Sequence, residues 1–225
     1  ENCKVQMHRF AVLIPARNEE AVISGLLESI QKQTYPSELI DIYVIADNCT
    51  DHTAALAARL GTSVIERFNH VKVGKGYALD YAFKQIDSKK GLDHYDAFLV
   101  FDADNVLDPG YFVAMNRTYS QGYEIITSYR NSKNYGTNWI SAGYALWFLR
   151  ESRFLNGARM KLGTSCAISG TGFLVSSKMI QKDGGWKYNL LTEDIEFSTD
   201  HIIRGHKIGY CRDAILYDEQ PVTFP

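Results

Sequence analysis

The amino-acid sequence predicts an α/β protein built on a mostly parallel, doubly wound sheet. Three observations carry that expectation. Short apolar runs at residues 10–14, 40–46 and 97–101 alternate with segments of helical period. The run at 97–101 is apolar throughout, as suits a strand covered on both faces. Polar clusters follow the strand ends, and ligands of such sheets bind beyond the carboxyl ends of the strands.

The first strand, residues 10–14, runs into Pro15-Ala16-Arg17-Asn18-Glu19-Glu20. Val22, Ile23, Leu26, Leu27 and Ile30 then recur at three- and four-residue spacing, the stripe of an amphipathic helix. Residues 40–46 give the second strand, and a helix over 53–60 ends at Gly61, suited to a left-handed C-cap. A short strand at 63–66 and a helix at 76–86 precede the run at 97–101. Asp108-Pro109 reads as an N-cap with proline at the first helical position. The second half is less regular. Residues 139–161 read as helix, apolar at the start (Trp139, Ile140, Tyr144, Leu146, Trp147, Phe148) and basic later (Arg150, Arg153, Arg159, Lys161). Two roles fit that pattern, a helix covering the core or a lobe and a helix lying on a membrane surface. Strands at 168–175 and 208–211, with a helix at 192–204 between them, complete the expectation.

At 225 residues and 45% hydrophobic composition, the chain can bury the core of one domain. A formal charge of −2, from 24 basic and 26 acidic residues, argues against a nucleic-acid binder, which would show a basic excess. Cys3, Cys49, Cys166 and Cys211 have neither CxxC nor disulfide-framework spacing and read as reduced thiols of a cytoplasmic protein. The N-x-[ST] triplets at Asn48 and Asn116 read as chance matches. No apolar run reaches the ~18 residues of a spanning helix. The chain starts at Glu1 without methionine and stops at Thr223-Phe224-Pro225, so the expectation is a fragment of a longer protein.

Four segments carry chemistry. In Asp102-Ala103-Asp104 an extended chain would turn two carboxylates to one side. Such a pair suits Mg²⁺ or Mn²⁺ bridging to substrate phosphates, and the alternative is a turn capping the next helix. A calcium loop is excluded, because Val106, Leu107 and Val113 stand where a ligand, a glycine and a glutamate would be needed. The segment 15–20 opens a helix, whose free N–H groups favour an anion, and Arg17 and Asn18 could add nucleotide contacts. Its plain reading is a loop with Glu19 and Glu20 complementing the helix dipole. Asp47 could accept from a base N–H or a ribose hydroxyl, while Asp51 suits a helix cap. Gly74-Lys75-Gly76 lacks the spacing of a phosphate-binding P-loop, yet Lys75 could offset donor charge. Glu193 and Asp194 fit the first turn of a helix by the macrodipole alone; alternatively, a carboxylate there could deprotonate a sugar hydroxyl.

Taken in order, these motifs resemble the family 2 glycosyltransferases, inverting enzymes of GT-A fold, over nearly the whole chain. The resemblance implies a nucleotide-binding half at about residues 1–105 and a smaller acceptor-side lobe at about 106–225 of a single GT-A catalytic domain. It implies nucleotide contacts from Pro15, Ala16, Arg17, Asn18, Glu19, Asp47, Lys75, Asp102 and Ala103. It further implies Asp104 as the direct metal ligand, with Asp102 nearer the donor. Ser169-Gly170-Thr171-Gly172-Phe173 is similar to the strand lining the acceptor site, where Gly170, Thr171 and Gly172 would lie. Gly184-Gly185-Trp186 followed by Thr192-Glu193-Asp194 resembles the segment that ends in the catalytic base, with Asp194 as base, Glu193 beside it and Trp186 at the acceptor. The implied donor is a nucleotide-diphosphate sugar, with UDP as leaving nucleotide and Mn²⁺ or Mg²⁺ as cofactor. The implied acceptor is a saccharide or lipid-linked molecule, and the parent protein would be membrane-anchored at the cytoplasmic face. The Q-x-x-R-W run of processive relatives is missing from this sequence. A nucleotidyltransferase would open with a glycine-rich loop, and residues 15–20 contain no glycine. A non-catalytic nucleotide-sugar-binding module would keep the same motifs and turn nothing over.

Overall fold

The computed structural model describes residues 6–223, so Cys3, Phe224 and Pro225 lie outside the described residues. The first half alternates as its apolar runs require: β1 (Phe10–Ala16), α1 (Ile23–Gln31), β2 (Ile40–Asp47), α2 (Thr53–Arg59), β3 (Ser63–Arg67), α3 (Lys75–Lys90) and β4 (Ala97–Val100). The second half contains β5 (Val106–Leu107), α4 (Tyr111–Tyr119), β6 (Ile125–Ser132), α5 (Trp139–Leu149), a π-helical segment (Arg150–Asn156) and α6 (Gly157–Lys161). It ends with β7 (Phe173–Ser176), α7 (Ser177–Lys182), α8 (Glu193–Ile203) and β8 (Ile208–Asp218).

One eight-stranded sheet of order β3-β2-β1-β4-β7-β6-β8-β5 runs through both halves. β1 pairs in parallel with β2 and β4, and β2 with β3. β7 runs antiparallel between β4 and β6, β8 lies parallel to β6, and β5 caps the edge antiparallel to β8. The sheet is therefore mostly parallel with two reversed strands, and its polar strand ends gather on one side. Side chains of β1 alternate between the two faces: Phe10, Val12 and Ile14 pack toward Leu26, Leu27 and Phe112, and Leu13 packs toward Phe83 and Phe98. Each such large apolar side chain, fully buried, stabilises the fold by about 1.5–3 kcal/mol.

Four expectations need correction. The segment 168–172 is a loop and not the start of a strand, because Gly170 (φ +71°) and Gly172 (φ +66°) adopt left-handed backbone that a strand cannot hold. The last strand continues past Cys211 to Asp218, carried by a register shift after Ser128 that moves its partner from Cys211 to Ile215. β5 and β6 were not anticipated. Asp108 lies before the helix and not at its cap: its Oδ1 accepts the Gly110 N–H at 3.0 Å, and α4 starts at Tyr111.

The expected helix over 139–161 is present as α5, the π-helical segment and α6 in succession. Cys49, Cys166 and Cys211 are free thiols. Asn48 and Asn116 are buried and hydrogen-bonded. Among the described residues no helix is long and apolar enough to cross a membrane.

Candidate active site

At the carboxyl ends of β1, β2 and β4, Pro15, Ala16, Arg17, Glu19, Asp47, Lys75 and Asp102 line one cleft of about 210 Å³, with Val73, Gly74 and Ala78. The loops after β1 and β2 are stitched together. Asn18 Oδ1 accepts the Thr50 N–H at 2.8 Å, the Glu19 N–H donates to Thr53 Oγ1 at 2.8 Å, and Glu20 Oε2 accepts the His52 N–H at 2.8 Å. Asn18 (φ +58°) and Asn48 (φ +53°) take left-handed backbone, tolerable for asparagine. Asn18 thus braces the cleft and is not among its lining residues.

Asp47 is buried and paired with Arg67, whose Nη1 lies 2.5 Å from Asp47 Oδ1 while Nη2 donates to the Lys72 carbonyl. Strand register explains the pair, since Asp47 and Arg67 are direct partners at the ends of β2 and β3.

Asp104 stands beside Asp102 and Asp218. Burial first, then the Asp218 and Asp102 charges, raise its carboxyl to about 6. Glu19 and Glu193 are raised too, mainly by burial, and both also feel the Asp102 charge. This surplus of hard carboxylate oxygens matches the donor set of a divalent cation. Asp104 and Asp102 are the residues of this group that could hold one.

Lys75 ties this cleft to the opposite wall. Its Nζ lies 2.5 Å from Asp102 Oδ1, 2.7 Å from the Gly170 carbonyl and 3.9 Å from Glu193 Oε1. The N–H of that same Gly170 donates to Asp194 Oδ2 at 2.7 Å, and Asp194 Oδ1 accepts the Ile195 N–H at 2.9 Å. Gly76 lets this wall approach, because a Cβ there would fall 2.1 Å from the Tyr188 carbonyl oxygen.

Three residues assigned to the acceptor are placed elsewhere. Trp186 is 2% exposed, with its indole stacked 5.0 Å from Phe197 and its Nε1 donating to the Tyr188 carbonyl, so it supports the loop before α8 from beneath. Thr171 is buried, donating to Asn105 Oδ1 and accepting the Asp102 N–H at 2.9 Å; it anchors the acidic segment. Gly172 is a packing glycine, since a Cβ would meet Leu216 at 1.9 Å. Ala103 is buried as well.

Two basic residues were not anticipated, Arg67 and Arg130. Arg130 pairs with Asp218, donates to the Ser169 carbonyl at 3.2 Å and stacks 3.6 Å from the Phe148 ring. No local pattern marks it, because β6 itself was not expected.

A second acidic group, Asp183, Asp200 and His201, has ligand-like spacing. It already holds cations: Arg204 reaches Asp183 at 2.5 Å and Asp200 at 3.1 Å, and Lys187 reaches Asp200 at 3.1 Å. It therefore reads as an ion-pair network.

The family model described as glycosyltransferase-like family 2 matches residues 8–225. The probable glycosyltransferase YdaM of Bacillus subtilis (strain 168) is 25% identical over 250 residues, covering 100% of this chain and 53% of its own length. The beta-monoglucosyldiacylglycerol synthase of Nostoc sp. is 25% identical over 200 residues, covering 84% of this chain and 40% of its own. The chain thus spans about half the length of the curated relatives it matches. Its fold matches that of the mannosyltransferase PcManGT from Pyrobaculum calidifontis in complex with GDP-Man and Mn²⁺, with a TM-score of 0.72 and 16% identity over 96% of this chain and 58% of that one. The sheet described above is thus the GT-A arrangement. With a family model spanning all but the first seven residues, the chain belongs to glycosyltransferase-like family 2.

Proposed function

We propose that this chain is the catalytic domain of an inverting glycosyltransferase. It moves a sugar from a nucleoside-diphosphate sugar, with UDP as our reading of the nucleotide, to a hydroxyl of a saccharide or lipid-linked acceptor. The parent protein would serve polysaccharide or glycolipid synthesis at the cytoplasmic face of a membrane. The carrying observation is Gly170, which Lys75 and Asp194 both hold through its backbone. Gly170 thereby links Lys75 to Asp194, its carbonyl accepting from the one and its N–H donating to the other.

Asp47, held by Arg67, offers an acceptor to a base N–H. Lys75 offsets phosphate charge, exchanging Asp102 for the donor. Asp104 and Asp102 would hold a divalent ion, which would supply Lewis-acid neutralisation to a diphosphate leaving group. Asp194 takes the proton of the acceptor hydroxyl as that oxygen bonds to the anomeric carbon. The bond from that carbon to the diphosphate oxygen breaks on the opposite face, which inverts the configuration. Glu193, the residue before the base and 3.9 Å from Lys75, positions the acceptor or the base.

Calorimetric titration with UDP-, GDP- and TDP-sugars tests this reading, with Mn²⁺ or Mg²⁺ and again with chelator. Binding of one nucleotide only with metal, lost in Asp104→Ala, supports it. Absence of binding to every donor in the panel overturns it.

A further inference from the structure

α5 and the π-helical segment are amphipathic the wrong way round. The side chains turned into the protein are small or polar: Ser141, Ala145, Ser152 and Asn156, all under 9% exposed. Their polar groups are met locally, with Ser152 donating to the Phe148 carbonyl at 2.7 Å and Asn156 donating to the Ala167 carbonyl at 3.1 Å. The large apolar residues point outward instead: Trp147 is 57% exposed, Leu146 53% and Phe154 62%. A groove of about 390 Å³ opens on this face between Trp139, Ile140, Gly143, Tyr144, Trp147 and Phe148. A contiguous aromatic patch of this kind marks a surface that is covered in use.

Charge identifies the cover. Across residues 139–162, Arg150, Arg153, Arg159 and Lys161 stand against Glu151 alone, in a chain whose formal charge is −2. The Arg150 guanidinium lies 5.4 Å from the Trp147 ring centroid, so cation and indole share one patch. Aromatic rings seat at the headgroup level of a bilayer, and adjacent basic groups draw anionic headgroups. A protein partner would not by itself call for this one-sided basic excess.

We infer that the outer face of α5 and the π-helical segment, centred on Trp147 and Arg150, is a docking surface for an anionic lipid bilayer. The surface backs onto the Ser169–Gly170 loop of the site. Phe148 stacks on Arg130, Ser152 bonds the Arg130 carbonyl, and Arg130 holds Ser169 next to Gly170. Seating the helix on a bilayer would place this loop close to lipid headgroups. The inference goes beyond the transfer reaction and stands apart from it, because bilayer binding needs no donor.

The test is co-sedimentation of this chain with vesicles of phosphatidylcholine alone and of phosphatidylcholine mixed with phosphatidylglycerol. Binding is expected with the anionic vesicles, weakened by added salt. Tyr144→Ser with Trp147→Ser, or Arg150→Glu with Arg153→Glu, should each reduce it about tenfold or more with the melting temperature unchanged, as these side chains are exposed. Equal binding to both vesicle types, no binding to either, or binding unchanged in both variants would overturn the inference. So would a concentration-dependent dimer in light scattering that Trp147→Ser abolishes, since a second copy would then be the cover. None of these outcomes alters the donor titration, so the two readings fail separately.

Discussion

Gly170 gives its N–H to Asp194 Oδ2 at 2.7 Å, which fixes the carboxylate against the loop that Lys75 grips from the other side. An asparagine at 194 can accept the same N–H through its amide oxygen but cannot take a proton from a hydroxyl. Asp194→Asn is therefore expected to keep the donor dissociation constant within about twofold and to slow transfer by about 10²–10⁴. Single-turnover transfer measured beside calorimetry checks both, and a wild-type transfer rate would rule out Asp194 as the base.

Arg67→Ala leaves the buried Asp47 carboxylate without its partner. Loss of one member of a buried ion pair costs about 3–5 kcal/mol. The variant should melt well below wild type and lose nucleotide affinity, because Asp47 and the loop up to Lys72 both depend on this guanidinium. Denaturant titration measures the first effect and nucleotide titration the second.

Asp104→Asn removes one of three crowded carboxylates, Asp102, Asp104 and Asp218. Like charges at such range disfavour the folded state, so the metal-free variant should be more stable by about 1–2 kcal/mol. The same change should abolish metal-dependent donor binding. Melting curves in chelator, followed by donor titration with Mn²⁺, give the two readouts.

His201 is fully buried, and burial outweighs the Asp183 charge to bring its imidazole down to about 4. Its neutral Nε2 therefore faces Asp183 Oδ2 at 3.2 Å, while Nδ1 has no partner. With the folded value below the unfolded 6.5, only the unfolded chain binds the proton between these limits. Stability is thus present above pH 6.5 and falls toward pH 4, by up to about 3 kcal/mol. His201→Gln should flatten that part of the pH–melting profile, even if its overall melting temperature drops.

The first half of the sheet was legible because its signals are local. Residues 10–14, 40–46 and 97–101 are apolar runs closed by polar turns, and Asp47, Lys75 and Asp102 follow strands or open helices where the cleft forms. The rest depends on which strands become neighbours. Arg67 matters through its register with Asp47, and Arg130 through a β6–β8 pairing that no short-range pattern announces. β6 reads Ile-Ile-Thr-Ser-Tyr-Arg-Asn-Ser and loses its apolar character after two residues. The strand expected over 168–175 begins only at Phe173, because Gly170 and Gly172 bend the stretch before it into a loop. Trp186 was given to the acceptor by the resemblance alone, and its packing with Phe197 places it in the core.

Arg130 and Asp218 are 88 positions apart along the chain. Contacts of such long sequence separation form late, since loop-closure entropy must be overcome first. During synthesis, β1 to β4 can assemble as a parallel block while β6 waits for β8 to be made. The Arg130–Asp218 clasp, and with it the backing of the Ser169–Gly170 loop, closes only once β8 has been made. Misfolding variants of the second half should therefore leave the first half structured, visible as early protection of β1 and β2 amides in pulsed hydrogen exchange.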